Sequence, residues 1–239
     1  MQTMRMPDEH VDAFYSALAA RNPEPKTELS FGDAFTLLVA VVLSAQATDV
    51  SVNRISGALF EIAGTPQRML ELGEDRLRQH IRTINLCNTK AKNIIALSRA
   101  LIERHEGKVP DDRAALEALP GVGRKSANVV LNVAFGQLMI AVDTHVFRVA
   151  NRTGLAPGRT PKEVEEALLA RTPERWLRYA HHWLILHGRY VCKARRPECW
   201  RCPVRAFCMY PEKTETPVPA DPRQRAKKLS SRSDGSEKR

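Results

Sequence analysis

The sequence predicts an all-α fold. Apolar residues recur at three- and four-residue spacing, helix-start signatures repeat along the chain, and no run alternates apolar and polar residues like a half-buried strand. At 239 residues the chain makes one large domain or two small ones, and its 43% hydrophobic content is enough for a sizeable core. No stretch approaches the ~20 apolar residues that span a bilayer, so membrane-spanning classes are excluded.

Val11, Phe14, Tyr15 and Leu18 set a first helix over 11–21, which Asn22-Pro23-Glu24-Pro25 ends. A strongly apolar helix follows over 33–47, through Leu37, Leu38, Val41, Val42 and Leu43. It runs abruptly into polar Ser44-Ala45-Gln46-Ala47-Thr48-Asp49, where Thr48 or Asp49 caps the next helix, with Val52, Ile55, Leu59 and Phe60. Thr65-Pro66 opens a short helix, and another runs over 74–84 around Leu77 and Ile81. Asn85-Leu86-Cys87-Asn88 breaks the pattern. Thr89 is expected to cap a helix through Ala91, Ile94, Leu97 and Leu101, ended by Gly107-Lys108-Val109-Pro110.

Leu116 and Leu119 lie one helical turn apart, and Pro120 disfavours helix at Leu119. Gly121 and Gly123 permit a tight turn with positive φ and a close backbone approach to another molecule. Ala127 and Val130 resume helical spacing. The product is helix, Gly-Val-Gly hairpin, helix, with N–H groups directed outward as an anion site beside cationic Arg124 and Lys125. The full apolar–Gly–Gly–Ala–apolar spacing favours phosphate over an ordinary connecting turn.

Apolar 136–142 leads into Asp143-Thr144-His145 and a helix bearing Val146, Phe147, Val149 and Ala150, which Gly154 stops. Thr160-Pro161-Lys162-Glu163 supplies a cap, proline at the first position and glutamate three residues after the threonine. Thr172-Pro173-Glu174-Arg175 repeats that pattern ahead of a helix with Trp176, Leu177, Ala180, Trp183 and Leu184. Past about Pro211 apolar residues almost vanish, and a disordered basic tail is expected over 213–239.

The net charge is +10 and the pI about 9.7, which favours an anionic partner, nucleic acid or membrane surface. Residues 213–239 hold eight Lys/Arg against four Asp/Glu, so the body is basic without them. The first twelve residues carry no apolar signal core, so a cytosolic or nucleoid location is expected.

Four of the five cysteines, Cys192, Cys199, Cys202 and Cys208, crowd into seventeen residues, which reads as metal ligation before disulfides. Zinc prefers two close pairs, and only Cys199 and Cys202 form one. The wider x6 and x5 arms suit a [4Fe–4S] cluster better. His187 is a ligand by type only; a histidine among Trp and Leu reads first as packing. Lys193, Arg195 and Arg196, in the arm between the first two cysteines, suit either phosphate contact or a solvated loop.

Lys125 begins a helix beside Arg124, and both features disfavour its ammonium form. Such a lysine is a nucleophile that can form a Schiff base; a second phosphate contact is the plainer reading. Asp143 reads first as a helix cap. A carboxylate fixed there can also offset positive charge on a sugar, as in glycosidases.

Together these pieces resemble the endonuclease III family of DNA glycosylases, over roughly 12–211. The match is carried by Ser44-Ala45-Gln46-Ala47-Thr48-Asp49, Leu119-Pro120-Gly121-Val122-Gly123-Arg124-Lys125-Ser126-Ala127, Val142-Asp143-Thr144-His145-Val146-Phe147-Arg148, His187-Gly188-Arg189 and the cysteine loop. The resemblance implies two helical domains with the active site in the cleft between them. A six-helix barrel with the helix-hairpin-helix would take 26–135, and an iron–sulfur domain 1–25 with 136–212. It implies Lys125 as nucleophile, Asp143 as catalytic carboxylate and the four cysteines as [4Fe–4S] ligands. The hairpin residues Gly121, Val122, Gly123 and Arg124 would hold DNA phosphates. Gln46 would fill the gap left by a flipped base with Leu86 as a wedge beside it, His145 would support the Asp143 turn, and Lys193, Arg195 and Arg196 would touch DNA. The implied activity is a bifunctional glycosylase and AP lyase, a monomer acting on double-stranded DNA with oxidised pyrimidines or abasic sites. A monofunctional mismatch glycosylase would need no lysine nucleophile. A non-catalytic DNA-binding module would leave Lys125 and Asp143 as phosphate contact and cap. Cys87 has no role in these motifs.

Overall fold

The computed structural model describes residues 4–216, in which eleven α-helices and one 3-10 turn are the regular structure. Helix α1 (Asp8–Ala19) is followed by α2 (Ala34–Ser44), α3 (Asp49–Ala63), α4 (Pro66–Leu72), α5 (Glu74–His80) and α6 (Cys87–His105). The hairpin joins α7 (Arg113–Glu117) to α8 (Arg124–Phe135), and α9 (Thr144–Thr153), α10 (Pro161–Arg171) and α11 (Glu174–Tyr190) lead to a 3-10 turn at Cys199–Arg201.

Most helix starts are side-chain caps. Asp33, Thr48, Thr65, Asp112, Asp143 and Thr160 each accept a backbone N–H from the first turn they precede. Two expected caps are corrected. Helix α6 begins at Cys87, not after Thr89, and its N-cap is Leu86 in the left-handed region with no side-chain bond. Thr172 ends α10 and does not cap α11; its Oγ1 lies 2.9 Å from the buried hydroxyl of Tyr15, and α11 starts after Pro173.

Two hydrophobic cores result. One gathers α2 through α8 around α2, whose residues from Phe35 to Leu43 are all buried. Helix α2 packs on α3, α6 and α8. The other joins α1 to α9, α10, α11 and Val204, so the N-terminal helix completes a C-terminal domain. Arg171 ties this joint with hydrogen bonds to Met6 O and the Asp8 carboxylate.

Between the cores runs the segment after α8. Ile140 and Val142 sit in the second core and Ala141 in the first, so this apolar stretch is an extended connector whose side chains alternate between domains. Its buried backbone finds partners in side chains: Asn132 Nδ2 donates to Gln137 O and Met139 O at 3.2 Å each, Asn128 Nδ2 to Ile140 O, and His181 Nδ1 lies 2.8 Å from Ala141 O. Sequence alone left it an apolar run because its acceptors are satisfied from α8 and α11.

At the other end, the expectation of disorder from residue 213 is corrected at 214 and 215, which are bonded to the cysteine loop. Thr214 Oγ1 accepts from Cys199 N–H at 3.0 Å and donates to Pro197 O at 2.7 Å, and Arg205 pairs with Glu215. The expected tail from 217 onward lies outside the described residues.

Candidate active site

Helix α8 opens the site. Gly121 has φ +78°, and a Cβ there would lie 2.8–2.9 Å from the Asn93 side chain, so glycine is required both for conformation and for space. Gly123 differs from expectation: its φ is −103°, it is the N-cap of α8, and a Cβ would meet nothing. Its value is the open approach to the first-turn N–H groups, which by helix geometry lack intrahelical acceptors. Val122 is buried in the first core and its N–H donates to Leu119 O at 3.1 Å, so it anchors the hairpin and offers no donor to a phosphate. Gly121→Ala is expected to lower stability by roughly 1–2 kcal/mol from the left-handed backbone alone and to weaken DNA binding, checked by thermal unfolding and a binding titration.

Arg124 does not project to a phosphate as expected. Its Nε and Nη2 donate to the buried carboxylate of Glu165 at 3.0 and 2.8 Å, clamping α8 to α10 across the domain joint. Lys125 instead enters a cleft of about 710 Å³, lined also by Ser44, Gln46, Asp49, Asp143, His145 and Arg189. Surrounding protein is the main cause lowering its ammonium below the usual lysine range, although the cleft stays open to solvent. Asp143 and Asp49 oppose that shift and Arg189 reinforces it, so the neighbouring cation is Arg189 and not Arg124.

Asp143 faces Lys125's cleft from the second domain. Its Oδ1 accepts from His145 N–H and Val146 N–H, both at 2.8 Å, which fixes the carboxylate at the start of α9. His145 packs tightly on α11: a Cβ on Gly188 would lie 2.9 Å from the His145 Cβ. Arg189 Nη1 bridges Asp49 Oδ2 at 2.6 Å and the Glu28 carboxylate, so one guanidinium ties the inter-helix segment, the barrel and α11 at the cleft rim. Asp49 and Arg189 stood inside the quoted motifs, but their pairing across 140 residues has no local signal.

Gln46 and Leu86 are both exposed and both left-handed, with φ 54° and 59°. In the cysteine loop all four thiols are free. Burial pushes the Cys202 thiol up to about 12, and burial is also the main cause raising Cys192, against Arg152 and Arg148, and Cys208, against the Tyr210 N–H. Among the described residues no three His, Cys, Asp or Glu side chains gather to hold a single metal ion. Four cysteines on one short loop are the donor type that iron–sulfur clusters take. His187 is buried with Nε2 3.6 Å from Cys202 Sγ, a hydrogen-bond neighbour of the donor set. Burial lowers His187 to about 4, favouring neutral imidazole. Arg152 braces the loop through Lys193 O at 2.7 Å and Ala194 O at 2.9 Å, while the Lys193 ammonium pairs with Glu198. Arg195 and Arg196 are exposed on the same arm.

Residues 39–174 match the profile of the HhH-GPD superfamily base excision DNA repair protein, and residues 192–208 that of the iron-sulfur binding domain of endonuclease III. Endonuclease III of Rickettsia conorii (strain ATCC VR-613 / Malish 7) is 57% identical over 200 residues, 84% of this chain and 95% of that protein. This chain belongs to the endonuclease III family. Endonuclease III of Escherichia coli (strain K12) is 58% identical over 198 residues, 83% of this chain and 94% of that protein. The structure of a trapped endonuclease III–DNA covalent intermediate, an estranged-adenine complex, superposes with a TM-score of 0.80 at 43% identity, covering 85% of this chain and 96% of that one.

As a member of the endonuclease III family, the chain carries a [4Fe–4S] cluster. The cluster, when bound, supplies a rigid cross-link for a loop that is poor in regular structure. Cys199→Ser is expected to remove most of the brown visible absorption and to lower the unfolding midpoint, checked by absorbance and iron content on the purified protein. No helix among the described residues is long and apolar enough to cross a membrane.

Proposed function

We infer that this chain is a bifunctional DNA glycosylase and AP lyase that removes oxidised pyrimidines from double-stranded DNA, with Lys125 as nucleophile and Asp143 as catalytic carboxylate. The observation that carries the reading is the shared cleft. A partly desolvated lysine enters it from the barrel, and a carboxylate fixed by two N–H groups enters from the opposite domain.

The hairpin N–H groups and the start of α8 hold a phosphate. The damaged base is flipped into the cleft, which is easier where damage has weakened pairing and stacking. Gln46 and Leu86 occupy the space it leaves. The neutral amine of Lys125 attacks C1′ as the glycosidic bond breaks and the base departs with the bonding pair. With Oδ1 of Asp143 engaged by α9, Oδ2 is the oxygen left to offset positive charge on the sugar. The C1′–O4′ bond then breaks, its electron pair leaves on O4′, which takes up a proton, and the open sugar is joined to Lys125 as a Schiff base at C1′; at an abasic site already present the amine condenses with the C1′ aldehyde and water is lost instead. The iminium accepts electrons as a C2′ proton is removed and the C3′–O bond breaks, and hydrolysis returns the lysine.

The four cysteines are the cluster ligands in this reading, and Arg195 and Arg196 contact the DNA backbone. The two cores support a barrel domain over 26–135, with 1–25 and 136–212 as the iron–sulfur domain. The protein works as a monomer on the bacterial chromosome, in the nucleoid.

Borohydride trapping on duplex DNA containing an abasic site or an oxidised pyrimidine tests the reading. A covalent adduct is expected. Base release without an adduct would replace it with a monofunctional glycosylase, and neither product would leave only a DNA-binding module.

A further inference from the structure

Lys90 is a buried lysine that the chemistry above does not use. It is 4% exposed, and its position with Ala91, Ile94, Leu97 and Leu101 puts it on the apolar face of α6. Its ammonium donates to Leu43 O at 2.8 Å and Ala45 O at 2.5 Å, carbonyls at the C-terminal end of α2. Its own backbone N–H donates to Leu86 O at 2.9 Å. One residue therefore holds the chain on the N-terminal side of Gln46 and holds Leu86 as well. Asn85 adds a second tie, with Nδ2 donating to Gln46 O at 3.1 Å.

Gln46 and Leu86 are two of three non-glycine residues with positive φ among the described residues. Such conformations persist only where the surroundings over-determine them. A cation in this position suits the negative end of α2, but burial disfavours its charge, and an apolar side chain would fill the same face without that penalty.

We propose that Lys90 is a positioning residue that presets Gln46 and Leu86 as a rigid pair of teeth for the gap left by a flipped base. The proposal rests on the gap-filling reading of those two residues. Without the Lys90 ammonium, the Leu43 and Ala45 carbonyls lose their donor; the backbone bond to Leu86 remains, so the two teeth no longer share an anchor. The loss should then fall on duplex DNA, where a gap must be filled, and spare single-stranded DNA, where there is none.

The test compares borohydride trapping rates on an abasic site in duplex and the same site in the lone strand. Lys90→Met is expected to slow trapping on the duplex about tenfold, the scale of a modest misplacement, and to change the lone-strand rate less than twofold. Lys90→Arg keeps the donors and should restore most of the duplex rate. Asn85→Ala, at an exposed position that leaves the α6 core intact, should give a smaller loss of the same duplex-selective kind. Gln46→Ala and Leu86→Ala serve as references. If these two slow the duplex while Lys90→Met and Asn85→Ala do not, the positioning role is wrong and gap filling stands. Equal slowing on both substrates in Lys90→Met and Asn85→Ala would reduce Lys90 to a structural residue and overturn the proposal. Unslowed duplex in the two reference variants would overturn gap filling and the proposal together.

Discussion

Asp143→Asn is expected to fold normally and to lose base excision by roughly 10²–10³-fold, the range for removing one preorganised electrostatic stabiliser. The cap geometry makes the substitution informative. Asp143 serves α9 through a single oxygen that accepts from His145 and Val146 N–H, and an asparagine carbonyl accepts the same bonds. Asparagine and aspartate rank together as N-caps, so stability should stay within about 0.5 kcal/mol. Asp143→Ala would remove the cap as well, at about 1 kcal/mol. The asparagine variant should separate two steps. Excision needs the negative charge while the sugar is cationic; trapping at an existing abasic site does not pass through that bond cleavage. Asp143 also favours the Lys125 ammonium, so neutralising it lowers the lysine further and leaves more free amine at a given pH. Trapping on abasic DNA should therefore persist and extend to lower pH while single-turnover base release collapses. A parallel fall of both, with a lower melting temperature, would mean that Asp143 is a cap and nothing more.

The residues that were legible are those whose partners are local. Thr48, Thr65, Asp143 and Thr160 announce their helices because a cap bonds within its own first turn. The Gly121 turn and the cysteine spacing are local in the same sense. What was illegible depends on distant chain. Thr172 has the pattern of a cap, but Tyr15, 157 residues away, is its partner. Arg124 looks like a phosphate ligand until Glu165, 41 residues on, accepts two of its donors. The start of α6 was misplaced because Leu86 has no capping side chain and adopts a left-handed backbone that leucine rarely takes. Lys90 carried a faint signal, a lysine in register with apolar residues, but its acceptors are main-chain carbonyls, which every sequence supplies equally.

Lys125→Ala is expected to abolish the borohydride adduct and to reduce strand cleavage by roughly 10³–10⁶-fold, the scale seen when a nucleophile is removed. Among the described residues that line the cleft no other side chain is an amine, Arg124 is held on Glu165, and the Lys90 ammonium is buried against α2. The pH dependence of the native enzyme checks the same assignment. Schiff-base formation needs the neutral amine, so trapping should rise with pH as Lys125 gives up its proton. Because its surroundings disfavour the ammonium, that rise should level off below the usual lysine value of 10.5. The sign for stability runs the opposite way to an ordinary ion pair. A folded-state value lowered below the unfolded one means that the charged lysine weighs against folding below the unfolded range, with the penalty relieved as pH rises. The open cleft lets water screen much of this penalty. Removing the side chain should therefore leave the melting temperature at neutral pH unchanged or slightly raised, while the chemistry is lost. A catalytic lysine predicts that combination; a phosphate-contact lysine predicts weaker DNA binding with the adduct still formed at saturating DNA.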